Sequence, residues 1–268
     1  MEEINPSVKD ILDAFYEWAP AELALSWDNP GQTIGDPGRQ VKKICCALDI
    51  SLSTIDFAKT QGAQLLVTHH PILISPIKSV LEDAVVGKRI IESISGGISI
   101  ISLHTNLDAA KGGVNDLLSE LFDVKGSAPV EDSDGANILR IGQLVPPRRL
   151  DQLLAEVKEK LGCQAVFYTG RQDQVVSRLA ICGGSGGSYW QLAKENGADC
   201  LLTGEVRHHD ALDARDAGFS IVGAGHFETE LPIVKRMAEF LNEKAAGNNW
   251  DIEVYTFSGE ASPIEIFY

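Results

Sequence analysis

The stretch of sequence that decides the fold is AKTQGAQLLVT, residues 58–68, in which a helical segment runs into an apolar strand. When the chain is slid along itself by 135 residues, this stretch aligns with AKENGADCLLT, residues 193–203, and six of the eleven positions are identical. Coincidence is the plain alternative, because many helices end and many buried strands begin with this composition. Together with a second match, the alignment indicates an internal duplication.

The second match, at a shift of 122 residues, has the same order along the chain. In both halves a strand is followed by a histidine and, four residues later, by an acid: strand 98–103 with His104 and Asp108, and strand 219–224 with His226 and Glu230. Two matches in the same order are harder to attribute to chance than one. We therefore predict two similar α/β domains, a first half at residues 1–125 and a second half at 126–268, which face each other across a cleft.

Short apolar runs alternate with longer segments of helical period along the chain. This alternation is typical of βα units and predicts an α/β fold with mixed, mainly parallel sheets. The predicted strands are residues 42–48, 64–68, 98–103, 138–145, 164–168, 177–182, 199–203, 219–224 and 252–257. The predicted helices are residues 6–18, 51–61, 84–95, 113–122, 150–161, 188–196, 207–217 and 229–245. Ligands of open α/β sheets bind beyond the carboxyl ends of the strands, where the polar motifs of this chain lie.

The composition is typical of a globular protein of the cytoplasm. The chain has 268 residues, 44% of them hydrophobic, and no apolar window of the roughly 18 residues that a membrane span needs. The N-terminus opens with acids and a helical pattern, unlike a signal peptide. The five cysteines form no CxxC pair and lie mostly in apolar runs, as expected of reduced, buried residues. We expect a cytoplasmic location and no membrane association.

The charge of the chain bears on its partners. A net charge of −15 with scattered lysines and arginines disfavours strong nucleic-acid binding, but it permits one small phosphorylated ligand. No GxxxxGK[ST] phosphate loop is present. The best candidate anion loop is GGSGGS, residues 183–188, for which a tight βα turn is an equal alternative.

The histidines are the main chemical signal of the sequence. All of them follow a predicted strand or open the next helix: His69, His70, His104, His208, His209 and His226. His69 and His70 lie at a strand end before Pro71, where the chain turns. Adjacent side chains of a regular strand point to opposite faces, so both rings reach one metal centre only where the pleat is broken, or by serving two neighbouring ions. We favour two ions.

In both His-x-x-x-acid motifs the imidazole and the carboxylate are four residues apart, a spacing that on a helix places them on one face, and the His226 motif lies at a predicted helix start. Such ligands suit zinc, iron, manganese and similar divalent ions. A bridging carboxylate can hold two ions a few ångströms apart, where a shared water becomes a metal-bridged hydroxide near neutral pH. A surface ion pair or a helix cap is the ordinary explanation of one such motif. Three separated segments that all follow strands favour a metal site.

With these motifs the chain resembles the GTP cyclohydrolase 1 type 2 homologues, also called the Nif-three-like family. The resemblance covers nearly the whole chain and rests on six motifs: SWDNPGQ (26–32), ALD (47–49), THHP (68–71), HTNLD (104–108), TGE (203–205) and GHFETE (225–230). The segment PGQTIG (30–35) departs modestly from the glycine-rich phrase of the family, at the rim of the pocket.

The resemblance implies two similar α/β domains without an inserted extra domain, a dinuclear metal site in the cleft between them, and assembly as a ring-like homohexamer. It implies two divalent ions per chain, of zinc, iron, manganese, nickel or magnesium, with these ligands: His69, His70, Asp108, His226 and Glu230. Spacing alone makes His104 a further candidate ligand. The resemblance instead implies that His104 does not bind the metal directly and has a supporting or proton-transfer role in catalysis.

Several polar residues near these motifs have open assignments. The repeat aligns Glu205 with the histidine pair, so we expect it to act in catalysis at the same site. His208 and His209 can supply a general acid or contact a substrate phosphate, although a polar first helical turn is an equal alternative. Asp28 and Asn29 are either plain turn residues or, by the resemblance, part of the wall that binds substrate.

Two functions fit these patterns. The first is a dinuclear metal-dependent hydrolase that acts on a small molecule such as a nucleotide; the resemblance names GTP, opened at C8 of the purine with release of formate. The second is a non-catalytic metal-binding scaffold or regulatory protein that docks other proteins. Titratable groups in excess of the five ligands favour catalysis.

Overall fold

The structure is a computed structural model that describes residues 4–267. Its α-helices, in chain order, are α1 (Val8–Trp18), α2 (Leu52–Gln61), α3 (Val85–Ser95), α4 (Thr105–Ala109), α5 (Val114–Leu121), α6 (Leu150–Leu161), α7 (Trp190–Glu195), α8 (His208–Asp216), α9 (His226–Glu230) and α10 (Pro232–Asn248). Its strands are β1 (Gly31–Ile34), β2 (Lys43–Ala47), β3 (Leu65–Thr68), β4 (Ser99–Ser102), β5 (Val124–Val130), β6 (Leu139–Arg149), β7 (Phe167–Tyr168), β8 (Val175–Cys182), β9 (Cys200–Thr203), β10 (Ser220–Gly223) and β11 (Glu253–Thr256).

The chain divides into two compact units. The first contains the residues up to Leu107 together with Ile233–Glu260, and the second contains Asp108–Pro232 and the segment after Glu260. The first unit therefore uses two separate stretches of chain, because α10 and β11 return to it. The predicted halves, 1–125 and 126–268, are instead continuous stretches of chain. That these halves are the duplicated domains stays a prediction.

The first unit is built on a five-stranded sheet in the order β1-β4-β3-β2-β11. All pairings are parallel except that of β1 with β4. Strands β3 and β4 are buried along their whole length, which explains why they read as continuous apolar runs rather than alternating ones. Helix α2 begins where the Ser51 hydroxyl accepts a hydrogen bond from the N–H of Thr54 and ends at Gly62, whose φ is 68°.

The second unit is built on a six-stranded sheet in the order β5-β6-β8-β9-β10-β7. Strands β8, β9 and β10 are parallel, and the remaining pairings are antiparallel. The predicted fold class, α/β with mixed sheets, is confirmed. Within the described residues, no helix combines the length and the apolar composition that a membrane crossing requires.

The same strand arrangement occurs in both sheets. Strands β2-β3-β4 run parallel with β1 antiparallel beside β4, and strands β8-β9-β10 run parallel with β7 antiparallel beside β10. The register also agrees, because Ala47 pairs with Thr68 in the first unit while Cys182 pairs with Thr203 in the second, 135 positions later in each case. The short helices α4 and α9 follow the corresponding strands. This agreement supports an internal duplication.

Every predicted strand and helix is present, most of them with ends shifted by a few residues, and the larger departures have physical reasons. The predicted helix 229–245 is two helices, because Pro232 lacks the N–H that would continue α9 and instead occupies the first position of α10. Strands β1 and β5 and the short helix α4 were not predicted. Strand β5 is mostly exposed and contains both a glycine and a proline, so it lacks the apolar pattern of a strand.

Candidate metal-binding groups

Three histidine side chains lie together in the first unit. One ring nitrogen from each of His69, His70 and His104 lies within 4.8 Å of the others. The ring centroids are 4.9 Å apart for His69 and His70, and that of His104 lies 5.4 and 5.6 Å from theirs. The pair follows β3 and His104 follows the neighbouring parallel strand β4. The carboxyl ends of two adjacent strands therefore bring the three rings together.

The side chains of His69 and His70 lie in the same site because the regular strand β3 ends just before them. The N–H of His70 donates to the carbonyl of Leu48 at 3.0 Å, and the hydroxyl of Thr68 donates to the carbonyl of His70 at 2.9 Å. These bonds fix a bend directly after β3. The alternation of a regular strand no longer applies there, and both rings contact His104.

The Nδ1 atom of every one of these histidines is held by an oxygen. It lies 2.8 Å from the carbonyl of Leu103 for His69, 2.8 Å from Oδ1 of Asp49 for His70, and 2.8 Å from Oδ1 of Asp28 for His104. A carbonyl or carboxylate oxygen only accepts, so Nδ1 carries the hydrogen and Nε2 carries the lone pair. Histidines that bind metals commonly have this arrangement, which orients the ring and fixes its tautomer.

Asp28 is the most constrained of these acceptors. Its side chain is fully buried, and its Oδ2 accepts hydrogen bonds from the N–H of Thr105, at 3.0 Å, and from the Thr105 hydroxyl. Burial alone would raise the pKa of Asp28, but the hydrogen bond and charge of His104, with the bonds from Thr105 and Asn29, outweigh it and lower the pKa to about 2. The carboxylate thus orients His104, and its predicted contact with substrate stays a prediction.

Asp49 is held in turn by the C-terminal part of the first unit. The carboxylate of Glu260 accepts hydrogen bonds from the N–H groups of Leu48, at 2.8 Å, and Asp49, at 2.8 Å. Burial raises the pKa of Glu260, although the two peptide N–H groups favour its ionised form. The loop after β2, which carries the partner of His70, is therefore fixed by a residue more than two hundred positions away.

The second unit carries its own group of candidate ligands. On α9, Nε2 of His226 lies 3.0 Å from Oε2 of Glu230, whose side chain is almost fully buried. One carboxylate oxygen of Asp108 lies within 4.8 Å of one of Glu230. The spacing of four residues thus places His226 and Glu230 on one helical face.

Glu205 and Ser185 lie on the other side of the His226 ring. The Ser185 hydroxyl donates to Oε2 of Glu205 at 2.7 Å, and Nδ1 of His226 lies 3.4 Å from that hydroxyl and 3.5 Å from Oε1 of Glu205. Glu205 therefore lies beside Nδ1 of His226, although at a longer distance than the 2.8 Å hydrogen bonds that Asp28 and Asp49 make in the first unit. The repeat singled out Glu205, whereas Ser185 was considered only as part of the glycine-rich stretch 183–188 and not as a partner of His226.

Gly184 explains how Glu230 fits into its buried position. Its φ is 57°, and a Cβ at this position would lie 2.1 Å from Oε1 of Glu230. Only a residue without a side chain leaves that space and adopts this backbone angle without strain. The glycine-rich stretch 183–188, considered above as an anion loop, thus makes room for a carboxylate.

The donor sets of the two units fit divalent metal ions. Imidazole nitrogens and carboxylate oxygens are the ligands that such ions take in proteins. Burial and the nearby carboxylates of Asp108 and Glu230 raise the pKa of the Cys182 thiol, as expected where negative charge is concentrated in a buried region. A cation offsets that charge at low cost in free energy, whereas a third anion would not.

His208 and His209 lie at the start of α8 and are exposed. His208 lines a cavity of about 380 Å³ with Tyr168 and Arg215, among others, while Nε2 of His209 lies 3.7 Å from Asp210. Asn29 is exposed, and its amide donates to the carbonyl of Leu73 at 2.9 Å. The predicted contacts of these three residues with substrate stay predictions.

An α/β protein of two units, each with imidazole and carboxylate side chains grouped at the carboxyl ends of its strands, is the class that this structure defines. The family described as Duf34/NIF3 (NGG1p interacting factor 3) matches residues 6–263. The chain belongs to this family, and the resemblance drawn from its motifs is confirmed.

Known relatives are similar over nearly their full length. The GTP cyclohydrolase 1 type 2 homolog of Clostridium perfringens is 32% identical over 263 residues, which cover 96% of this chain and 98% of that protein. The structure of reduced HcgD from Methanocaldococcus jannaschii matches with a TM-score of 0.80 and 31% identity, over 96% of this chain and 100% of that one. A hypothetical protein of Staphylococcus aureus matches with a TM-score of 0.91 and 24% identity, over 98% and 100%, which shows the shared fold.

Proposed function

We propose that this protein is a metal-dependent hydrolase with a dinuclear centre held by five residues: His69, His70, Asp108, His226 and Glu230. One observation carries the proposal. In the first unit three histidines lie together, and the oxygen bonded to each Nδ1 favours the tautomer in which Nε2 carries the lone pair that coordinates an ion. The second unit supplies the carboxylates, and a carboxylate can bridge two ions.

The protein residues divide the chemical work between them. Two divalent ions of zinc, iron, manganese, nickel or magnesium, when bound, would polarise the substrate and lower the pKa of a water that they share. His104 is placed to give or take a proton at Nε2, because Asp28 holds its Nδ1 at 2.8 Å and stays ionised to stabilise the imidazolium. Glu205 orients His226 and is a second candidate for proton transfer.

The substrate that we propose is a small molecule, with nucleotides the first class to test. The support comes from relatives, which carry the name GTP cyclohydrolase 1 type 2 homolog, and from titratable groups in excess of the five ligands. In this proposal His208, His209 and Asn29 contact the substrate. The ring-opening of GTP with release of formate is the most specific form of the proposal.

The proposal includes a cytoplasmic location and self-association, with a homohexamer as the expected assembly. All five cysteines are buried thiols without disulfide bonds, which suits a reducing compartment. Light scattering coupled to gel filtration measures the assembly directly; a monomer would contradict it.

The test combines metal content with turnover. The purified chain is loaded with each candidate metal, its bound ions are counted by mass spectrometry, and a panel of nucleotides and phosphoesters is followed for products, with formate measured for GTP. Hydrolysis of one class that stops on removal of the metal and returns on its restoration supports the proposal. Two bound ions with no turnover of any compound would favour a metal-binding scaffold instead.

A further inference from the structure

Asn115, on α5, connects the segment of the second unit that carries Asp108 to the turn at Gly183 and Gly184, which contacts the helix of Glu230. Its Nδ2 donates a hydrogen bond of 3.2 Å to the carbonyl of Asp108, and its Oδ1 accepts one of 2.8 Å from the N–H of Gly183. The residue is 1% exposed. Both ends of this buried amide are therefore bonded, each to the backbone of a different segment.

The residue after Gly183 links this segment to the helix that carries Glu230. The N–H of Gly184 donates to the hydroxyl of Thr229 at 3.0 Å, and that hydroxyl lies 2.9 Å from the carbonyl of His226. The bare α-carbon of Gly184 faces the carboxylate of Glu230. The segment of Gly183 and Gly184, which Asn115 binds, thus contacts the His226–Glu230 helix directly.

An amide is the side-chain group that suits this position. It has a donor and an acceptor at a fixed distance, so it can satisfy a carbonyl and an N–H at the same time, which an ionised carboxylate cannot do. It also carries no charge. Two carboxylates within 4.8 Å of each other repel, and a third charge beside them would add to that repulsion.

We propose that Asn115 is a positioning residue that sets the separation of Asp108 and Glu230 and so allows both to bind the same metal centre. The inference rests on the proposed function, because it assigns these two carboxylates to the metal. It assigns no chemical step to Asn115, which bonds the backbone of Asp108 and of Gly183 rather than the carboxylate oxygens of the ligands.

A purely structural role is the alternative, and the same helix offers the control. Ser119 lies one turn further along α5, is 3% exposed, and donates from its hydroxyl to the carbonyl of Asn115 at 2.8 Å. It also accepts a hydrogen bond from the Ser127 hydroxyl. Neither bond involves a ligand segment, so Ser119→Ala removes a buried hydrogen bond without releasing Asp108 or Gly183.

The experiment compares Asn115→Leu, Asn115→Asp and Ser119→Ala with the unaltered full-length chain. Affinities for Zn²⁺ and Mn²⁺ are measured by competition with a chelating dye, ions per chain are counted at a fixed free-metal concentration, and thermal unfolding is followed without metal. We expect both Asn115 variants to bind at least one ion 10 to 100 times more weakly. We expect Ser119→Ala to lower only the unfolding temperature.

The outcomes separate the two proposals. Unchanged metal affinity in a folded Asn115 variant, with metal bound by the unaltered chain, would overturn the positioning role and leave the proposed function standing. An unaltered chain that binds no ion would overturn the proposed function and the positioning role with it. Asn115→Asp keeps the side-chain volume and the bond from Gly183, so it decides the question if Asn115→Leu does not fold.

Discussion

Asp28 and His104 form a hydrogen bond of 2.8 Å between Oδ1 and Nδ1, although they lie 76 positions apart in the chain. The other oxygen of Asp28 is bonded to Thr105, and the ring of Trp27 meets that of His104 edge to face, with centroids 5.8 Å apart. The imidazole is thus fixed in orientation and tautomer. The SWDNP motif supports the histidine, and it does so through a carboxylate that is fully buried.

Replacing Asp28 by asparagine should change how stability depends on pH. The pKa of Asp28 is about 2 in the folded chain against an ordinary value of 3.8, so the ionised group stabilises the fold above pH 4 and this contribution is lost as the pH falls towards 2. The difference is worth about 2 kcal/mol. Urea unfolding of the metal-free chain between pH 6 and 2.5 should show a shallower decline for Asp28→Asn.

A control separates this effect from general acid unfolding. Asp151 is an exposed carboxylate paired with Arg149, where solvent screens the interaction, so Asp151→Asn should follow the unaltered chain closely. Equal slopes for Asp28→Asn and the unaltered chain would show that the buried pair does not lower the pKa of Asp28.

Replacing His104 by alanine should spare the metal and impair turnover. The residue lies beside the proposed ligands with its ring held by Asp28, so its loss removes a proton-transfer group, an effect of about 100-fold or more on kcat. Ion counting and kinetics on whichever substrate the nucleotide panel identifies measure both properties. His209→Ala, on the exposed start of α8, is the histidine control for metal content. Loss of an ion in His104→Ala would instead make His104 a direct ligand.

Replacing Gly184 by alanine should weaken metal binding through Glu230. The new Cβ would lie 2.1 Å from Oε1 of Glu230, so the carboxylate has to move. Gly218→Ala is the matched control, because its φ of 67° imposes the same backbone strain, about 1 kcal/mol, with nothing within 4 Å of the added carbon. Calorimetric metal titration should show a loss of affinity for Gly184→Ala only. Equal affinities in the two variants would mean that Glu230 does not need its present position.

The sequence was sufficient for the parts of the fold that depend on local pattern. Strands β3 and β9 are apolar runs with a helix before them, and their repeated composition predicted two similar arrangements of strands. Strand β11 joins the first sheet only through its pairing with β2, and α10 returns to the first unit rather than the second. These outcomes depend on contacts between distant segments, for which the local sequence carries no signal.

The same distinction applies to the candidate site. The position of the histidines directly after strands could be predicted, and because parallel strands place their carboxyl ends side by side, His69 and His70 lie next to His104. The groups that hold those histidines could not be predicted in this way. Asp49 and Glu260 are brought together by folding, and Ser185 and Asn115 act through hydrogen bonds to distant segments, which leave no pattern in the local sequence.

Metal stoichiometry of the unaltered chain and of Glu230→Ala is the most direct test of the central claim. Glu230 is buried and lies 3.0 Å from His226, so Glu230→Gln serves as the variant of equal size, and Glu239→Ala on the exposed face of α10 serves as the surface control. We expect two ions per chain in the unaltered protein and in Glu239→Ala, and none in Glu230→Ala. In Glu230→Gln we expect a lower affinity for both ions. Two ions retained by a folded Glu230→Ala, or none bound by the unaltered chain, would contradict a dinuclear centre bridged by this carboxylate.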